Sequence, residues 1–209
     1  VHPGWGKDPQ RHKDLLVDLA DAGFCAIGID TRYAYADRTL APGQRCHKPI
    51  VGVANPYFDD ADRSSNRWKY RRPTVTLEVC RRLGIGIRSY VGHSEGGRIS
   101  SLSAAAMPEL TRSLVLVNAA GTGNSRGGTA RLLRSNANRV SAFAQGENGV
   151  LSAAGSAVGS VVYASTHIRR TLAEKQVIQS TNTWNIIDRL QPSDTRVSVL
   201  HAKNDELIA

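Results

Sequence analysis

The sequence predicts an α/β fold: a mainly parallel sheet flanked by helices, with a large helical insertion. Two observations carry that expectation. Short apolar runs at residues 24–29, 87–92, 113–118 and 196–201 alternate with segments whose apolar residues recur at helical spacing. The run at 24–29 is also nearly all apolar, as a strand covered on both faces is.

The chain has 209 residues, 41% hydrophobic and 22% charged, enough to bury one core. No apolar run approaches the roughly 18 residues a membrane span requires, so a soluble, globular domain is expected. Cys25, Cys46 and Cys80 are odd in number and widely spaced, which argues against a disulfide framework and a thiolate metal site. A reducing compartment is favoured, and with it a cytoplasmic location.

Taken in order, Asp8 is placed to cap a helix that starts at Pro9. Leu15, Leu16, Leu19 and Ala20 give it an apolar stripe and Gly23 ends it. "FCAIGI" (24–29) reads as a strand buried on both faces, ending at Asp30. Residues 31–72 form a polar excursion too long for an ordinary connection. Its end, "RSSNRWKYRR", sets Arg63, Arg67, Lys69, Arg71 and Arg72 around Trp68 and Tyr70, within a net charge of +9. Basic and aromatic residues so interleaved suit nucleic acid, but no nucleic-acid module accompanies them, so a solvated arginine-rich loop is expected.

"PTVTLEVCRRLG" (73–84) is the next helix, with Val75, Val79 and Leu83 on one face and Gly84 as terminator. "IRSYVG" from Ile87 is a strand, "GGRISSLSAAAM" a helix of small residues, and "SLVLVN" (113–118) another apolar strand. Residues 121–190 are long enough to be an inserted helical cap, in which Gly155 and Gly159 suit close packing of a helix. "RVSVLH" (196–201) closes the series as a buried strand. The expected division is a core of residues 1–120 and 191–209 with the cap at 121–190.

Between the second of these strands and the small-residue helix stands G-x-S-x-G, satisfied by Gly92, Ser94 and Gly96. A chain with 19 glycines produces this pattern by chance, so the context decides. An apolar strand running into the motif and a helix leaving it make the strand, sharp turn and helix of a nucleophile elbow. The turn strains the serine backbone, and glycines on either side let strand and helix pass closely.

With that motif in place the sequence resembles the α/β-hydrolase family, over nearly its whole length. "VGHSEGG" is similar to the family's elbow, "HPGWG" to its His-Gly oxyanion loop, and "VLHAKNDELI" to the segment carrying its triad acid. The resemblance implies Ser94 as nucleophile, Asp205 as acid, and the cap inserted after the sixth strand. It also implies an oxyanion hole from the backbone N–H groups of Glu95 and Trp5, with Gly4 as the alternative to Trp5. Pro3 has no N–H to offer. His2 is expected to brace the loop. Asn118, Ala119 and Ala120 leave no carboxylate after the sixth strand, which favours Asp205; Asp194 and Glu206 read as surface charges and Asp30 as part of a structural turn.

A serine also needs a base, in this family a histidine that follows the acid. None of the six histidines follows Asp205. His93 adjoins the serine, His201 ends a strand, and His12 and His47 lie early; His167, in the cap, is the only one placed to swing in. The family's first strands are missing as well, so the chain is expected to be an internal piece of a longer protein and inactive alone for want of its catalytic histidine.

The resemblance implies a serine hydrolase acting on a small-molecule acyl substrate without metal or organic cofactor. The acyl bond is left open among ester, amide, thioester and carbon–carbon. The alternative is a non-catalytic protein of the same fold that binds a ligand or partner. Neither nucleic acid nor a membrane span is expected.

Overall fold

The computed structural model describes residues 1–4, 9–31, 57–58, 67–122, 172, 174, 176–178 and 180–201. Among them three strands form one parallel sheet in the order β1 (Arg88–His93), β2 (Thr111–Val117) and β3 (Arg196–Leu200). Tyr90 lies beside Leu114 and Leu114 beside Val197, so His93, Val117 and Leu200 finish level at one edge. Parallel neighbours need crossovers, and helices supply them. α1 (Lys13–Asp21) and α2 (Arg67–Arg82) precede β1, α3 (Glu95–Ala106) lies between β1 and β2, and α4 (Thr183–Ile187) between β2 and β3.

The core lies between the sheet and α3. Leu114 and Leu116 of β2 are wholly buried, clustered with Tyr90, Ala104, Ala119 and Leu190. Tyr70, Leu102 and Ile186 form a second cluster that joins α2, α3 and α4. Every residue of α3 from Glu95 to Ala104 is buried. Serine, alanine and glycine make this feasible, because small side chains let the helix lie close to its neighbours. At Gly97 an added Cβ would collide with Ala119.

Several sequence expectations are corrected. The helix after Pro9 is present, as a 3₁₀ turn (Pro9–His12) running into α1 and stopping at Gly23, whose φ is 87°. Its apolar stripe buries nothing, and Leu15 stays exposed. Asp8 lies outside the described residues. The run 24–29 is not a buried strand: Phe24 is 61% exposed and no strand is present there. Among the described residues its pairing toward the sheet is with Val1, whose amine donates to the Ile27 carbonyl and whose own carbonyl accepts from Ile29 N–H. Two hydrogen bonds to one residue do not make a ladder. His2 in turn bridges to Gly92, so Val1 and His2 lie between residues 27–29 and β1.

The helix expected at Pro73 starts six residues earlier, at Arg67, and takes Pro73 into its interior. A proline there removes the N–H owed to the carbonyl four residues back, that of Lys69. Arg98 of α3 makes good the loss, its guanidinium donating to the Lys69 carbonyl over 3.0 Å. Residues 67–72, expected in a loop, are therefore helical, and Arg72, expected in solvent, is buried at 2% exposure. β3 is half-buried rather than buried, ends at Leu200, and leaves Leu200 exposed.

Most of the expected cap, Gly155 and Gly159 included, lies outside the described residues. Its two ends meet. Thr183 N–H donates to the Gly121 carbonyl, the Thr183 hydroxyl to the Ala120 carbonyl, and the Trp184 indole to the Thr122 carbonyl. Gly121 has φ 81°, and a Cβ there would lie 2.5 Å from the Thr181 carbonyl oxygen. The chain therefore leaves the sheet after β2 and returns before β3 at one place.

Candidate active site

Ser94 stands between β1 and α3 with φ 54° and ψ −121°. A non-glycine residue at positive φ costs on the order of 1–3 kcal/mol and persists only where its surroundings hold it. Here three hydrogen bonds do so. Ser94 N–H donates to the Val117 carbonyl, while its own carbonyl accepts from Gly97 N–H at 3.0 Å and Ala120 N–H at 2.9 Å. The serine backbone is thus fixed to the end of β2, to α3 and to the loop beyond β2.

Both motif glycines are required by contact. A Cβ on Gly92 would lie 2.6 Å from the Gly97 Cα, and one on Gly96 would lie 2.5 Å from the Pro3 carbonyl oxygen. Such separations are below any real packing distance, so the elbow closes only with glycine at both places. The serine itself is half-buried, at the carboxyl end of β1. In parallel α/β sheets that edge is where ligands bind.

The opening loop reaches the same place. Gly4 is buried against the elbow: a Cβ there would lie 3.2 Å from the Ser94 Cβ and 3.3 Å from His93 Nδ1. The loop is held by His2, which donates N–H to the Val91 carbonyl and accepts from His93 N–H. The His2 ring is buried, stacked on Tyr90 and 3.5 Å from the Thr76 hydroxyl. Burial above all pushes His2 down to about 3. It is neutral at physiological pH, and its backbone bonds brace the loop. His93 packs edge-on against His12, whose ring lies 5.9 Å away. The sequence placed His12 only in an early segment; its approach to the elbow depends on how the Pro9–His12 turn lies.

Glu95 opens α3. The first amides of a helix have no partner within it and carry its positive end. Ser94 and these amides therefore share the mouth of one turn. The Glu95 carboxylate points elsewhere, into a buried ion network. Arg72 Nη1 is 2.5 Å from Glu95 Oε2, Arg72 Nη2 is 2.7 Å from Glu174 Oε1, and Arg98 Nη2 is 3.2 Å from Glu95 Oε1. Sequence reasoning missed this network, since it took Arg72 as one of a run of loop arginines. The available signal was Pro73, whose helix needs an outside donor and hence a cation close by.

The structure brings together Ser94, Glu95 and Gly4. Trp5 and Asp205 lie outside the described residues, as does His167. His201 follows β3 with Nε2 3.1 Å from the Thr122 hydroxyl. Among the described residues no group of three or more His, Cys, Asp and Glu could hold a metal ion, and no helix is long and apolar enough to cross a membrane. No family model, curated protein or solved structure matches the chain.

Proposed function

We propose that the protein is a serine hydrolase of the α/β-hydrolase type, with residues 121–190 forming a helical cap, that cleaves an ester of a small molecule through an acyl-enzyme on Ser94. The observation that carries the reading is the Ser94 backbone at positive φ, held by Gly92, Gly96, β2 and α3. Strain of this kind clusters at functional sites, where it fixes a reactive side chain in place. Support comes also from Gly4 against Ser94 and from the α3 amides at the same turn.

In this reading Ser94 Oγ attacks the substrate carbonyl carbon while a histidine takes its proton. The carbonyl oxygen becomes an oxyanion held by the amides of Glu95 and Trp5, with Gly4 as the alternative. Collapse breaks the bond to the leaving alkoxide, which receives the proton from the imidazolium. Water then attacks the acyl-enzyme, the histidine accepts its proton and returns one to Ser94 Oγ, and the carboxylic acid departs. Asp205 orients the histidine, which the family places after the acid.

The test is hydrolysis of chromogenic esters of graded acyl length by the full-length protein and by Ser94→Ala. Loss of a nucleophile of this kind lowers kcat by at least about 10³-fold. Equal turnover by the two proteins would refute the reading. A protein that binds the esters but turns none over would instead be a non-catalytic binder of the same fold.

A further inference from the structure

We infer that Arg72 is a positioning residue of the proposed site, holding the carboxylate of Glu95 in the interior and thereby fixing the Glu95 amide beside Ser94. The inference rests on the serine hydrolase reading above. A glutamate at the first residue of a helix ordinarily turns toward the helix amides and their positive end. At Glu95 that would set a negative charge where an oxyanion has to form, and like charges there raise the barrier that oxyanion donors are meant to lower. The carboxylate is instead 1% exposed and bound by Arg72 and Arg98.

Among the described residues the network holds two cations and two anions, Arg72 and Arg98 with Glu95 and Glu174. Taking such groups out of water costs several kcal/mol per ion, and apolar side chains of similar size are often as stable. What four charges give that an apolar cluster does not is direction. Arg72 spans both carboxylates with separate nitrogens, a geometry for which a lysine ammonium is too compact. Through Glu174 it also ties a helical residue of the insertion to the residue that follows the nucleophile, across 79 positions of sequence from Glu95 to Glu174.

The experiment follows inactivation of the full-length protein by a fluorophosphonate. In that reaction the Ser94 Oγ–P bond forms, the P–F bond breaks, fluoride leaves and the serine proton passes to the base. Maximal rate (kinact) and half-saturating concentration (KI) are measured separately, with the folded fraction taken from near-UV circular dichroism. Arg72→Met is expected to lower kinact about 10- to 100-fold at unchanged KI, less than the roughly 10²- to 10³-fold that outright loss of one oxyanion donor costs. Arg72→Lys is expected to recover little. Arg72→Met combined with Glu95→Gln is expected to recover most of the loss, because the carboxylate charge that Arg72 no longer holds is gone. Should Arg72→Met not fold, Glu174→Ala serves in its place, with an expected fall of about threefold or more in kinact and none in affinity.

Wild-type kinact in folded Arg72→Met, or in Glu174→Ala where that variant substitutes for it, overturns the inference alone, provided Ser94→Ala is inert. No recovery in the double variant also overturns it. A Ser94→Ala protein that reacts like wild type overturns the underlying reading and the inference together.

Discussion

Residues 113–118 and 24–29 are alike in sequence, each a short apolar run following a helix, and the folded chain treats them differently. The first becomes β2, with Leu114 and Leu116 wholly buried between β1 and β3. The second does not become a strand, and Phe24 is exposed. The difference lies in the neighbours. β2 is hydrogen-bonded to a strand on both sides, whereas among the described residues the backbone of 27–29 is hydrogen-bonded to Val1 alone. An apolar run states what a strand would bury; a sheet forms only where partners of matching length lie alongside it.

The largest expected effect sharpens that contrast. Leu114→Ala should cost about 4 kcal/mol, within the range for truncating a wholly buried leucine, and Ile27→Ala less than about 1. Denaturant unfolding of both variants measures the gap, and equal costs would break the comparison. Next comes Gly96→Ala, which drives a Cβ against the opening loop and should cost about 3 kcal/mol in the same assay. A neutral result would mean that loop and elbow do not touch.

A pH effect should follow from His2. The unfolded chain takes up a proton on this ring near 6.5, whereas the folded chain resists down to about 3. The folded state therefore loses stability as pH falls from about 6.5 toward 3. Between pH 6.5 and 5 the loss should be about 2 kcal/mol, at about 1.4 kcal/mol per unit, and His2→Gln should flatten it. The smallest effect carries the opposite sign. Ser94→Gly should raise stability by about 1 kcal/mol by releasing the positive φ, while abolishing any chemistry at this position.

The elbow was legible in the sequence because its requirements are local. Gly92, Ser94 and Gly96 sit between an apolar run and a run of small residues, and strand, turn and helix follow in order. Gly23 and Gly84 marked helix ends for the same reason, both adopting positive φ. What escaped reading depends on residues far apart. Pro73 looked like a helix start because Arg98, which supplies the donor that allows it inside the helix, is 25 positions away. Arg72 looked like a surface cation because its partners, Glu95 and Glu174, come from two other segments. Hydrophobic patterning has no term for a buried ion network, whose members read one by one as polar surface.

The contrast between the two apolar runs bears on function as well, since the serine follows a strand paired with β2 and its backbone is hydrogen-bonded to the end of β2. The most direct test is to treat the full-length protein with a fluorophosphonate, digest it, and locate the adduct by mass spectrometry. The expected result is one adduct per chain on the peptide containing Ser94, absent from Ser94→Ala. An adduct elsewhere, or one that survives the substitution, would contradict the assignment of Ser94 as nucleophile.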